Sequence, residues 1–136
     1  MPTTVEVLKQ VPLFNELNHR QLKRLAAKFK ERRFLPGRTV VRQGKMSGVG
    51  FFVVVSGEAS VSVDGREVAR LAGGDYFGEL ALIAERERTA TVTAETAFDC
   101  LEIPIWDFQD FVKSDSEVSW KLLRHVVDAL LVARGS

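Results

Sequence analysis

Histidine and cysteine are scarce in this chain of 136 residues: His19, His125 and Cys100 are all there is. One cysteine excludes an intrachain disulfide and suits a reducing compartment, so a cytoplasmic protein is expected. The two histidines stand far apart, each in a stretch patterned as helix, and strand-borne metal sites need clustered imidazoles. No His, Cys or carboxylate constellation pairs a nucleophile with a base. Neither an enzyme, a metal site nor a cofactor is therefore expected. No apolar run approaches the length of a bilayer span, and Met1-Pro2-Thr3-Thr4-Val5-Glu6 lacks the basic-then-apolar order of a signal peptide. Excess charge is missing too: 19 basic residues meet 18 acidic ones, for a net +1. That balance argues against a surface built for polyanions, so no direct binding of a nucleic-acid polymer is expected. The cluster Lys28, Lys30, Arg32, Arg33 is interrupted by Phe29 and Glu31 and reads as a solvated helix end and strand face.

What is present fits one domain over residues 1–136. Residues 1–30 read as N-terminal helices. Val5, Leu8 and Val11 form a short apolar stripe over Thr4 to Gln10, and Pro12-Leu13-Phe14 breaks it. Asn18 is placed to cap a helix from His19 to Lys30, with Leu22, Leu25, Ala26 and Phe29 on one face. From residue 31 to 103 the period becomes that of strands. Pro36-Gly37 suits the centre of a type II turn, and Asp64-Gly65 that of a type I′ hairpin turn. The unbroken apolar run Phe51 to Val55 predicts a strand covered on both faces. Thr89 to Ala94 and Phe98 to Ile103 alternate as two closing strands, giving an eight-stranded antiparallel jelly-roll-like barrel. Residues 104–134 return to helix: Pro104 starts one with Trp106, Phe108, Phe111 and Val112 as core, and Ser116 caps a last one over Glu117 to Arg134. That last helix carries Val118, Leu122, Val126, Ala129, Leu130 and Ala133 on one face, and Trp120, Leu123, Val127 and Leu131 on another. One face can cover the β region and the other is surplus.

The chemistry concentrates between Phe77 and Val92. Gly78 permits close approach of the main chain, and the residues from Glu79 to Ile83 can form a helical turn whose first N–H groups attract an anion. Arg88 supplies a permanently charged fork suited to phosphate, and Glu79 supplies acceptors suited to hydroxyl groups. One anion and one sugar would satisfy both.

The order Phe77-Gly78-Glu79-Leu80-Ala81-Leu82-Ile83, four residues, then Arg88-Thr89-Ala90-Thr91-Val92 resembles the phosphate-binding cassette of cyclic nucleotide-binding domains. Arg42-Gln43-Gly44 and Phe51 to Glu58 fall where that family has its preceding strands and turns. The resemblance implies that Glu79 accepts from the ribose 2′-hydroxyl and Arg88 pairs with the cyclic phosphate. N–H groups near Gly78, Glu79, Leu80, Ala81 and Ala90 would complete the cradle. Thr89 stands where some members contact guanine, which admits cyclic GMP, while cyclic AMP ranks ahead because small domains of this type look more like the bacterial ones. In the family the last helix closes over the base and in several members mediates dimerisation or output. Carried over, Leu123, Val127, Leu130 or Leu131 would be the lid, with Arg124 or Arg134 as polar alternatives, and an effector domain or a second copy would be the partner. Two departures stand out: Ala84-Glu85-Arg86-Glu87 holds no Gly or Pro, and Lys45 to Gly50 lacks the acidic residue often found there. The expected function is a sensor switched by closure of its C-terminal helix; the alternative is a protein-interaction module that kept the fold and lost the ligand. The chain is either a complete small protein or a piece of a larger one.

Overall fold

Two reciprocal capping boxes begin the chain's two N-terminal helices. In α2, His19–Ala26, the Asn18 side chain accepts from the Gln21 N–H at 2.9 Å, and Gln21 Oε1 accepts from the Asn18 N–H at 3.0 Å. Thr3 and Glu6 do the same at α1, Thr4–Lys9, and a single 3₁₀ turn, Pro12–Phe14, lies between the two helices. The structure is a computed structural model that describes residues 3–44, 50–78 and 89–135.

The expected helix to Lys30 ends earlier. Lys28 and Phe29 donate to Leu25 and Ala26, tightening the last turn, and Lys30 already belongs to a strand. Pairing with a distant strand overrides helix propensity here.

Among the described residues the strands are β1 Lys30–Phe34, β2 Thr39–Val41, β3 Gly50–Ser56, β4 Ala59–Val63, β5 Arg66–Leu71, β6 Tyr76–Phe77, β7 Thr91–Ala94 and β8 Phe98–Pro104. They form two antiparallel four-stranded sheets, ordered β1-β8-β3-β6 and β2-β7-β4-β5. The jelly-roll character expected is there, but among the described residues the two sheets are open and not joined into a closed barrel. Four short strands per sheet bury their inner side chains against the facing sheet, which suffices for a sandwich without a continuous ladder.

The predicted turns are present in their predicted types. Gly37 has φ 86° and the Arg38 N–H donates to Leu35 O at 3.1 Å, as a type II turn requires. Asp64 and Gly65 both have positive φ, 52° and 81°, matching type I′.

A two-residue period divides β3 between two cores. Phe51 and Val53 point to the helices, joining Leu8, Val11, Phe14, Leu25, Phe111 and Val118. Phe52 and Val54 point to the second sheet, joining Val41, Ala59, Val92, Ala94, Phe98 and Cys100. β8 splits likewise, with Phe98 and Cys100 on one side and Leu101 and Ile103 on the other. The first sheet is thus the middle layer of three.

At the C-terminal end, Pro104 occupies the N-cap of α3, Ile105–Lys113. Phe108 and Phe111 are buried and Val112 packs against them, but Trp106 is 62% exposed, contrary to the core role expected for it. Ile105, Phe108 and Phe111 recur at helical spacing toward the core, and the residue after Ile105 is turned about 100° away. The cap of α4, Ser116–Ala133, is Asp115 and not Ser116: its carboxylate accepts from the N–H groups of Glu117 at 2.9 Å and Val118 at 3.4 Å. Only Val118 and Leu122 of α4 are buried. Val126, Ala129, Leu130 and Ala133, expected on the same covered face, are exposed because the helix runs on past the body.

Candidate functional site

Two strand ends frame the cassette. On the incoming side, Asp75 Oδ2 accepts from the Ala72 N–H at 2.8 Å, and the Val54 N–H donates to Asp75 O at 2.8 Å, which pins the approach to β3. Phe77 stacks on Phe52 with ring centroids 4.8 Å apart and planes within 3°. Gly78 follows with φ 85°, a left-handed conformation that any side chain would strain. On the outgoing side, Thr89 is exposed and Ala90 half-buried just ahead of β7. β6 belongs to the first sheet and β7 to the second, so the two ends of the cassette stand in different sheets. Of the expected ligand contacts, Gly78, Thr89 and Ala90 are placed this way. Glu79, Leu80, Ala81 and Arg88 lie outside the described residues, as do Glu85 to Glu87 and Lys45 to Val49.

Gln43 emerges as a support that sequence reading left without a role. Its side chain donates to Asp64 Oδ1 at 3.0 Å and accepts from the Asp64 N–H at 2.9 Å, gripping the β4–β5 hairpin tip. Its own N–H donates to Thr91 Oγ1 at 2.9 Å. One residue therefore fixes the hairpin and the point where the chain leaves the cassette. A glutamine before a turn glycine was the only local signal.

The expected lid residues all sit on α4 and all face solvent: Leu123, Val127, Leu130 and Leu131 are 43–55% exposed. The first half of the helix is fastened on its other side. Arg24 donates to Asp115 at 3.2 Å and to Ser114 Oγ at 2.8 Å, with its guanidinium 5.5 Å from the Phe111 ring centroid. Lys121 Nζ donates to Gln21 Oε1 at 2.9 Å and pairs with Glu117, and Arg124 pairs with Glu16. Desolvation pushes the Asp115 carboxyl upward, but the N–H groups of Glu117 and Val118 together with Arg24 outweigh it and hold it below the usual range. The Glu16 carboxylate, hydrogen-bonded to Arg124, raises that guanidinium's pKa further.

Other groups are structural. An open cleft of about 390 Å³ lies beside α1, lined by Thr4, Val7, Glu31, Arg33, Val55 and Asp99 among others, and includes none of the expected site residues. Its charges neutralise each other: Arg33 is bidentate to Asp99 at 2.7 and 3.3 Å, and Ser56 Oγ adds 3.2 Å. Burial pushes the Cys100 thiol up to about 12, which leaves it a protonated core side chain. Among the described residues, no group of three His, Cys, Asp or Glu is placed to hold a metal, and no helix is long and apolar enough to cross a membrane.

Known proteins match this arrangement. The cyclic nucleotide-binding domain model matches residues 31–115. A cAMP-dependent protein kinase regulatory subunit of Yarrowia lipolytica is 42% identical over 91 residues, which is 65% of this chain and 24% of that protein. A cGMP-dependent protein kinase of Toxoplasma gondii is 37% identical over 98 residues, 72% of this chain and 10% of that protein. The crystal structure of the N-terminal domain of a transcriptional regulator from Streptomyces coelicolor A3(2) superposes with TM-score 0.85 at 32% identity, covering 96% of each chain. This chain spans only a tenth to a quarter of those two kinase proteins. With the matched segment running from β1 to the cap of α4 and enclosing the whole cassette, the chain belongs to the cyclic nucleotide-binding domain family.

Proposed function

We propose that the protein is a non-catalytic cyclic nucleotide sensor. The observation that carries this reading is the complete cassette order in a member of the family, entered through a left-handed Gly78 at the end of β6 and left at the start of β7. Arg88 pairs with the cyclic phosphate, Glu79 accepts from the ribose 2′-hydroxyl, and main-chain N–H groups from Gly78 to Ala81 and at Ala90 close the cradle. The Thr89 hydroxyl is available to a guanine, and relatives named for each nucleotide both resemble the chain, so cyclic AMP and cyclic GMP are both candidates. Ligand then favours the arrangement in which α4 lies over the base, and it shifts that equilibrium only by its differential affinity for the two states.

Titration calorimetry with both nucleotides, run beside Arg88→Ala, tests the assignment. Truncating one partner of a desolvated charge pair costs roughly 2–5 kcal/mol, so binding should fall by more than an order of magnitude. Unchanged affinity removes the site. Glu79→Ala should lose less, because the ribose hydroxyl is neutral.

The exposed face of α4 favours a second reading, an interaction module without ligand. Trp120, Leu123, Val127 and Leu130 follow one another at three, four and three residues, the spacing of a coiled-coil seam, with a β-branched residue between leucines. That pattern suits pairing with α4 of a second copy. Concentration-dependent dimerisation in a folded sample that binds neither nucleotide would favour this reading over the first.

A further inference from the structure

Among the described residues, everything that fastens the first half of α4 to the rest of the chain by charge comes from residues 16–24. Glu16, in the turn before α2, takes the Arg124 guanidinium. Gln21, only 4% exposed, is fixed by its cap to Asn18 and offers Oε1 to Lys121 at 2.9 Å. Arg24, the next turn of α2, holds Asp115 and Ser114. At about 100° per residue, Leu123 and Val127 point away from the docked Val118 and Leu122. The fastening therefore fixes which way the apolar face looks, and it looks to solvent.

We propose that these contacts are an ionic latch by which the N-terminal helices hold α4 with its apolar face outward and so lower the affinity of the cyclic nucleotide site. The inference rests on the sensor reading given above. Its logic is the strength of the parts. Partly exposed ion pairs are individually weak and salt-screened, so a ligand can break them, yet two of them and the Lys121–Gln21 hydrogen bond, acting on one rigid helix, set its orientation together. A protein whose binding-competent arrangement is only fractionally populated shows its intrinsic affinity reduced by that fraction. Weakening the latch raises the fraction.

The test uses Glu16→Arg, which replaces attraction to Arg124 by repulsion, and the swap Glu16→Arg with Arg124→Glu, which restores a pair. All these side chains lie at the surface, so the fold should survive, and the swap controls for damage. Without nucleotide, amide hydrogen exchange in the first turns of α4 should quicken in Glu16→Arg and return toward wild type in the swap. In calorimetry with cyclic AMP, Glu16→Arg should bind about two- to fivefold more tightly than wild type, and the swap should not. Unchanged exchange overturns the latch. Weaker cyclic AMP binding in Glu16→Arg, reversed by the swap, also overturns it, since the contacts would then belong to the ligand-favoured arrangement. If wild type binds no cyclic nucleotide, the sensor reading has failed, and exchange alone then decides whether residues 16–24 hold the helix.

Discussion

β3 and α4 each carry more apolar surface than one covered face accounts for, and the molecule treats them oppositely. β3 lies in a middle layer, its odd residues under the helices and its even residues under the second sheet. α4 is covered along one side of its first turns only, and Leu123, Val126, Val127, Leu130, Leu131 and Val132 remain exposed. A run with surplus apolar residues signals that something covers it, but not what. For β3 the cover is the rest of the chain; for α4 the readings proposed above call for a ligand-linked movement or another molecule.

The sharpest contrast comes from the centre of β3. Phe52→Ala removes a ring that is 2% exposed and stacked on Phe77, and should cost about 3–5 kcal/mol in urea or guanidinium unfolding. Leu122→Ala, in the covered part of α4, should cost about 2–4 kcal/mol because it opens the same core that Phe51 fills. A smaller effect concerns acid. Asp115, capping α4, has its pKa lowered on folding, so its contribution is complete above the unfolded value near 3.8 and is lost as pH falls through the folded value. Wild type should therefore lose more of its denaturation midpoint between about pH 5 and pH 3 than Asp115→Asn does. Least of all should follow from Leu130→Ala, within about 0.5 kcal/mol for the dilute chain. A loss as large as that of Leu122→Ala would mean that the outer face is covered within a single copy.

Local geometry made much of this legible in advance. Pro36-Gly37, Asp64-Gly65 and the Asn18 cap depend on dihedral preferences and near neighbours, and each lies in the structure as its residues dictate. Where distant partners decide, reading the chain falls short. The end of α2 yields to pairing between β1 and β8, some seventy residues apart by the Lys30–Glu102 register. Gln43 acquires its role only through Asp64 and Thr91. Periodicity alone put Val126 and Ala129 in the same face as Val118 and Leu122, yet burial depends on how far along the helix the 3₁₀ turn and the residues before α2 reach. Ser116 and Asp115 are adjacent cap candidates, and the carboxylate's two N–H partners decide for Asp115. In the cassette, Gly78 was legible from chemistry because its conformation is one that glycine adopts without cost.

Among the described residues β1 stands at the rim of its sheet, bonded to β8 on one side only. Its outer row of peptide groups is a template on which a strand of another chain could grow a fibre. Four consecutive charges, Lys30, Glu31, Arg32 and Arg33, occupy that rim, and Arg32 and Arg33 are tied back to Glu102 and Asp99 across the strand pair. The cluster that reads as a plain solvated face thus also guards this edge against stacking with its own kind.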